Sequence, residues 1–363
     1  MEVNQKAKEH LLDYISKVSP HFDSFFASQK EVSKNINEIA LDMVVRYEDF
    51  IGGKRLRGAL TKLGYDLFGG SPAFEEDVLK ASSIIEIIHG FGLMHDDIMD
   101  EDELRRSKPT MHIQYEHVFD AKFSNSVRKK KLYGTAMAIN VGDLGAFYAN
   151  LIIDGTNFDP EIKMRFLKRV SQVVIQTVHG QGLDVTYELD SPPTEARVMD
   201  IHKFKTSFYT VPGPLQYGAI LAGVSLEDPR YLALEKFGVP IGIAFQLRDD
   251  ELGMFSTPEK FGKPIYSDLR QGKNTLLFAK AFELATPEQL AFLSSVHGNA
   301  NVTESDLKKV NQILEESGSV AYSRELSWKL VEEGKLYIKD ITQDPKQVEL
   351  LEVLANYVVT RNS

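Results

Sequence analysis

Two runs of carboxylates carry the chemical interest of this 363-residue chain: Asp96-Asp97-Ile98-Met99-Asp100-Glu101-Asp102, and Asp249-Asp250 within Phe245-Gln246-Leu247-Arg248-Asp249-Asp250-Glu251-Leu252-Gly253. The first closes an apolar stretch from Ile84 to Met94. On a helix, Asp96 and Asp100 lie one turn apart on nearly one face. At a separation of ~6 Å and an effective dielectric of about 20, two such carboxylates repel by roughly 3 kcal/mol. A hard divalent cation relieves that repulsion, and an all-oxygen ligand set favours magnesium over zinc. The plain alternative is an acidic helix end facing water. The second pair also follows an apolar run, Val239 to Phe245. Two such pairs in distant parts of one chain predict two helices facing each other across a cavity, with metals shared between them and a polyanion. A diphosphate fits, because magnesium keeps some waters and is commonly shared between carboxylates and phosphates.

Positive charge is concentrated to match. Gly52-Gly53-Lys54-Arg55-Leu56-Arg57-Gly58 sets three cations between glycines. Glycine lets a backbone come close to an anion, and arginine forks and a lysine point charge suit phosphate oxygens. Arg105-Arg106 follow the first acidic run, and Lys205-Thr206, Lys263 and Lys273 lie further on. Each of these alone reads as an ordinary surface cation. His89 lies seven residues before Asp96, about two helical turns away on nearly the same face.

The elements that must position these groups read as helices. Apolar spacing of three and four residues covers 5–19, with Leu11, Leu12, Ile15 and Val18, and continues over 78–102, 135–155, 159–190, 198–222, 230–255 and 273–286. Several of these segments are apolar on more than one face, as expected inside a large bundle. No run alternates convincingly like a strand. Gly69-Gly70-Ser71-Pro72, Ser107-Lys108-Pro109-Thr110, Asp190-Ser191-Pro192-Pro193-Thr194 and Gly262-Lys263-Pro264 mark breaks. None resembles a flexible linker, so the reading is one all-α domain over 1–363. The composition, 43% hydrophobic and 26% charged, is that of a globular chain with a real core. A net charge of −10 argues against nucleic acid, and the basic run Arg128-Lys129-Lys130-Lys131 reads as a solvated face. Cysteine is absent, which excludes disulfides and thiolate chemistry. No apolar run is expected to span a membrane and no signal core opens the chain, so a cytoplasmic location is expected.

Taken in order, GGKRLRG (52–58), DDIMDEDELRRSKPT (96–110), GQGLD (180–184), KTSFYT (205–210), FQLRDDELG (245–253) and GKPIYSDLRQGKNT (262–275) make the chain resemble the trans-isoprenyl diphosphate synthases. Its likeness is strongest to archaeal-type geranylgeranyl diphosphate synthases. The resemblance implies a large all-α helical bundle of the isoprenoid synthase type around a deep central cavity, usually homodimeric. It implies that Asp96, Asp97, Asp100, Asp249 and Asp250 bind magnesium, about three ions in all, which hold an allylic diphosphate. Arg105, Lys205 and Lys263 would contact that diphosphate, with Gln246 and Lys273 nearby. Lys54, Arg57, His89 and Arg106 would hold isopentenyl diphosphate. Gln181, Asp184, Thr206 and Tyr209 would line or support the reaction centre. The implied reaction is ionisation of the allylic diphosphate, attack by the isopentenyl double bond and proton loss, with no nucleophilic side chain.

Two departures stand out. Gly253 occupies a position where many relatives carry a third aspartate, and Tyr266 one where glycine is usual. The segment between Thr110 and Tyr133 is longer than in compact relatives and has no functional reading. Phe91, five residues before Asp96, is where archaeal-type relatives place an aromatic floor under the growing chain. Gly92 and Ile88 lie more directly under Asp96 on an ideal helix. The expected product is geranylgeranyl diphosphate, with farnesyl or longer polyprenyl diphosphates as alternatives. A terpene cyclase, or a non-catalytic subunit of another prenyltransferase, are the rivals from other classes.

Overall fold

A computed structural model describes residues 2–123, 126, 129–189, 192–255 and 267–361. The elements run α1 (Glu2–Lys34), α2 (Glu38–Phe50), α3 (Leu56–Leu67), a 3-10 turn (Pro72–Phe74), α4 (Glu75–Met99), β1 (Leu104–Arg105), β2 (Lys108–Pro109), α5 (Met111–Lys122), α6 (Lys130–Asp154) and α7 (Pro160–Glu188). They continue with α8 (Glu195–Ile201), a π-helical turn (His202–Ser207), α9 (Phe208–Thr210), α10 (Pro212–Leu221), α11 (Pro229–Phe255), α12 (Ser267–Gln271), α13 (Leu276–Leu284), α14 (Pro287–Val296), α15 (Glu304–Glu316), α16 (Ser319–Lys335), α17 (Ile338–Ile341) and α18 (Pro345–Thr360). The architecture is all-α, as the apolar spacing predicts.

The chain divides into two compact units. One comprises residues 9–168 and 217–223, the other 1–8, 169–216 and 224–363. In the first unit α4 packs on α6 through small residues. A methyl group at Gly142 would overlap His95, and one at Gly145 would overlap the Tyr47 hydroxyl and press on Phe91. Tyr47 donates to the Ile87 carbonyl at 2.7 Å and stands edge-on to Tyr148, ring centres 5.8 Å apart. Burying these rings together supplies area and fixed geometry at once. Against the expectation of no membrane-length apolar run, one helix has that length. By length and composition α6 is apolar enough to cross a membrane, alone among the described residues. Its apolarity has a packing cause, since Val141, Gly142, Gly145 and Tyr148 are buried within this unit.

In the second unit α11 is the central helix. Gly238 and Gly242 let Pro212 and Ser207 pack directly on its backbone. Ser207 donates to the Val239 carbonyl at 2.7 Å. A separate apolar core joins Met254, Leu277, Phe278, Leu293, Val310 and Leu314.

The helix expected over 78–102 stops short of its predicted end. α4 ends at Met99, and Glu101 takes φ of 52°. The chain then forms a hairpin, pairing Leu104 with Pro109 and Arg105 with Lys108. Arg106 and Ser107 at its tip both have positive φ, 52° and 61°. That is the backbone of a tight turn whose twist matches paired strands. Thr110 ties its base, donating to the Asp102 carbonyl at 2.7 Å.

Candidate active site

Asp96 and Asp97 lie in the last turn of α4, and Asp100 caps it, its N–H bonding the Asp96 carbonyl at 2.8 Å. Asp97 is fully buried. The hairpin turns Arg105 back onto it, with Nε and one terminal nitrogen reaching Oδ1 at 2.6 and 2.5 Å. The same terminal nitrogen lies 3.9 Å from both Asp96 and Asp102. Burial opposes the charge on Arg105, but the neighbouring carboxylates, Asp97 first, outweigh it and raise its pKa. The hairpin therefore does what the expected helix would not: it brings a guanidinium against the acids.

The residues read as holding a second substrate also gather in this unit. Arg57, in the first turn of α3, places a terminal nitrogen 3.3 Å from His89 Nε2 on α4. Burial, and then the charges of Arg57, Arg106 and Arg105, holds the His89 pKa well below its usual value, so the ring is neutral. Arg106 donates to the Phe50 carbonyl at 3.0 Å and lies over the Gly52-Gly53 backbone, where a methyl group at either glycine would stand 3.1 Å from it. Lys54 is exposed.

Glu86 underpins this group and was not singled out in the sequence. It is buried and accepts from the Gly58 N–H at 2.8 Å, fixing the start of α3. Burial raises its pKa, against the pull of Arg57, the Gly58 N–H, Arg55 and Arg106. A lone acid inside Ile84-Ile85-Glu86-Ile87-Ile88 was the available signal.

In the other unit, α11 presents Asp249 and the buried Asp250. Gln246, one turn earlier, donates to Asp250 Oδ1 at 2.8 Å and accepts from Thr206 at 3.1 Å. His202 Nε2 stands 3.0 Å from Asp250 Oδ2, but among the described residues no hydrogen bond is aligned on that oxygen. Lys205 donates to the buried Asp184 at 2.5 Å, and Lys273 binds Glu188 at 2.5 Å and lies 3.9 Å from Asp184. Gly180 makes the first of these possible. Its missing side chain lets α7 touch the backbone of Lys205 in the π-helical turn. Gln181 is half-buried on α7 and Tyr209 is buried. His202, Glu188 and Arg361, which reaches Asp249 at 2.5 Å, were missed because their partners lie far away in sequence. Lys263 and Tyr266 lie outside the described residues.

The donor set suits a hard cation. In each unit the acids supply only oxygen and stand consecutively on a helix, and among the described residues the buried Asp250 carries an oxygen without an aligned donor. Among the described residues, no three acidic or histidine side chains gather round one point.

The model of the polyprenyl synthetase family matches residues 39–314. The chain belongs to that family. Among its relatives, the geranylfarnesyl diphosphate synthase of Aeropyrum pernix is 33% identical over 85% of this chain and 91% of its own. The geranylgeranyl diphosphate synthase of Saccharolobus solfataricus is 30% identical over 92% and 99%. A crystal structure of geranylgeranyl pyrophosphate synthase from Corynebacterium glutamicum, complexed with isoprenyl diphosphate and magnesium, superposes with a TM-score of 0.89 at 28% identity, covering 96% of this chain and 98% of that one. The protein is thus a prenyltransferase with the all-α fold of the polyprenyl synthases. The relatives' names differ in product length.

Proposed function

We propose that this prenyltransferase condenses isopentenyl diphosphate with allylic diphosphates head to tail, as one catalytic domain over 1–363, and makes mainly geranylgeranyl diphosphate. Asp96, Asp97, Asp100, Asp249 and Asp250 are the magnesium ligands. When bound, magnesium, about three ions, supplies charge neutralisation to the departing diphosphate. Arg105, Lys205 and Lys263 bind the allylic diphosphate, with Gln246 and Lys273 beside them. Arg105 and Lys205 are held by Asp97 and Asp184, so they meet that diphosphate in fixed positions and lose little freedom on binding. Lys54, Arg57, His89 and Arg106 bind isopentenyl diphosphate. Gln181, Asp184, Thr206 and Tyr209 support the reaction centre.

The observation that carries this reading is the Arg57–His89 pair, seated by Glu86 and flanked by Arg106. A cyclase acts on one diphosphate and has no use for a second cationic site. Arg57→Met is expected to raise KM for isopentenyl diphosphate at least about tenfold and leave KM for the allylic partner unchanged. Turnover of an allylic diphosphate alone to a hydrocarbon would instead establish the cyclase.

For product length, Phe91 stands edge-on to His95, ring centres 4.7 Å apart, with its Cβ toward Gly145 on α6. A side chain at Gly92, one turn below Asp96, would enter open space, and Ile88 is buried beyond it. Phe91→Ala is expected to lengthen the products. Unchanged products from that variant, with shortening by Gly92→Phe, would move the floor to the Gly92 face. We further propose a cytoplasmic homodimer, supported by the exposed Ile139, Phe147 and Leu151 on one side of α6 and by the absence of cysteine.

A further inference from the structure

Arg361 lies just beyond the end of α18, and its position is fixed from both ends. Its backbone N–H bonds the Tyr357 carbonyl at 3.1 Å and closes the helix. Its own carbonyl receives two donors from Arg248, at 3.1 and 3.0 Å. The guanidinium lies 3.9 Å over the ring of Phe245 and donates to the carbonyls of Val358 at 3.2 Å and Phe245 at 3.1 Å. A terminal nitrogen then reaches Asp249 Oδ1 at 2.5 Å. Phe245, Arg248 and Asp249 occupy consecutive turns of α11, so the C-terminal arginine grips the stretch of helix that carries the acid.

The order of burial decides what this grip does. The Arg361 side chain is 7% exposed and that of Asp249 is 30% exposed. The arginine therefore stands behind the acid rather than in front of it, where a substrate would arrive. We propose that Arg361 is a positioning residue for Asp249: it takes Oδ1, fixes the carboxylate rotamer and leaves Oδ2 for a metal. This rests on the reading of Asp249 as a magnesium ligand.

The neighbouring acid is held in the same manner. Gln246 donates to Asp250 Oδ1 and is itself held by Thr206. In the other unit Arg105 grips Asp97. The restraint matters more at the second pair, because Gly253 stands one turn beyond Asp249 and offers no third carboxylate. A pair with fewer ligands binds a cation well only if its oxygens are already oriented. The positive charge of Arg361 also weakens the pull of Asp249 on a cation. Orientation is expected to win, since removing the hydrogen-bond partner of a metal ligand typically costs 10–100-fold in metal affinity.

The test compares the full-length protein with Arg361→Met, Arg361→Lys, Asp249→Asn and the Arg361→Met/Asp249→Asn double variant. Thermal stabilisation is titrated with magnesium at fixed inorganic pyrophosphate, and KM for isopentenyl diphosphate is measured at saturating magnesium. Arg361→Met should need about tenfold more magnesium for half the effect, with that KM unchanged. Arg361→Lys should recover part of the loss, and Arg361→Met should add nothing in the Asp249→Asn background. An equal shift in both backgrounds would show a merely structural role and overturn the proposal. So would an unaltered magnesium response, or a raised KM for isopentenyl diphosphate alone, which would place the arginine on the substrate. Should Arg361→Met fail to fold, Arg361→Lys keeps a charge over Phe245, and an unshifted magnesium response from it overturns the proposal. A parent protein that elongates but is stabilised equally with and without magnesium would remove the metal reading of Asp249 first, and this inference with it.

Discussion

Arg105 and Lys205 each meet a carboxylate inside the protein, and the resulting pairs set the character of the site. A buried arginine without Asp97 would leave charge uncompensated, so Asp97→Ala should cost several kcal/mol, about 3–5, on the scale of broken buried pairs. Equilibrium unfolding in denaturant measures it, and a loss below about 1 kcal/mol would mean that Arg105 finds another partner. His89 adds a pH dependence. Its folded pKa is depressed, by burial first and by Arg57, Arg106 and Arg105 next, whereas the unfolded ring titrates at about 6.5. Below that pH the unfolded chain takes up a proton that the folded chain refuses. The contribution is therefore present above about pH 6.5 and lost as pH falls. His10 and His297, lowered chiefly by burial, act in the same direction. His89→Gln should flatten the decline of the denaturation midpoint between about pH 7 and 5, and parallel curves would contradict this.

Short, irregular elements aim the side chains. The π-helical turn exposes Lys205 and Thr206 to Asp184 and Gln246, and it depends on Gly180 beneath it. Gly180→Ala puts a methyl group into the Lys205 backbone and should destabilise the protein by about 3 kcal/mol, read from the same unfolding experiment. A loss within about 0.5 kcal/mol would show that the contact yields. At the hairpin tip, Ser107 holds a positive φ that costs an L-residue about 1 kcal/mol. Ser107→Gly should be slightly stabilising and Ser107→Val destabilising by about 1 kcal/mol; the reverse order would contradict the turn. These are the features that sequence reading missed. Two-residue strands are too short to show alternation, and a helix reading that ran to residue 102 hid the turn that begins at Glu101. A π-helical turn keeps helical apolar spacing and so reads as helix over 198–222. Helices α4, α6, α7 and α11 were legible, because each carries several turns of apolar spacing. Helices α2, α3, α5, α12 and those from α14 onward were not delimited individually, although Thr286 and Thr303 cap two of them with capping boxes.

At the scale of the molecule, the all-α class followed from apolar periodicity, and the family from six short blocks in order. The acids, the glycine-flanked cations and His89 were legible because their residue types and spacing are chemical. Glu86, His202, Glu188 and Arg361 were not, because what defines each is a partner brought near by folding. The apolar length of α6 has its physical reason in packing against α4. Its remaining exposed apolar side carries the dimer proposal. Phe147→Glu should convert a dimer to a monomer in sedimentation, and a parent chain that sediments as a monomer would remove that proposal.

The central claim is head-to-tail elongation by this single chain. The most direct measurement incubates the purified protein with labelled isopentenyl diphosphate and each allylic starter, with magnesium or with chelator, and sizes the dephosphorylated products. The account predicts metal-dependent elongation that stops at twenty carbons. Elongation to another length would keep the chemistry and overturn the reading of Phe91 and Gly92. No elongation with any starter in the presence of magnesium would contradict the account itself.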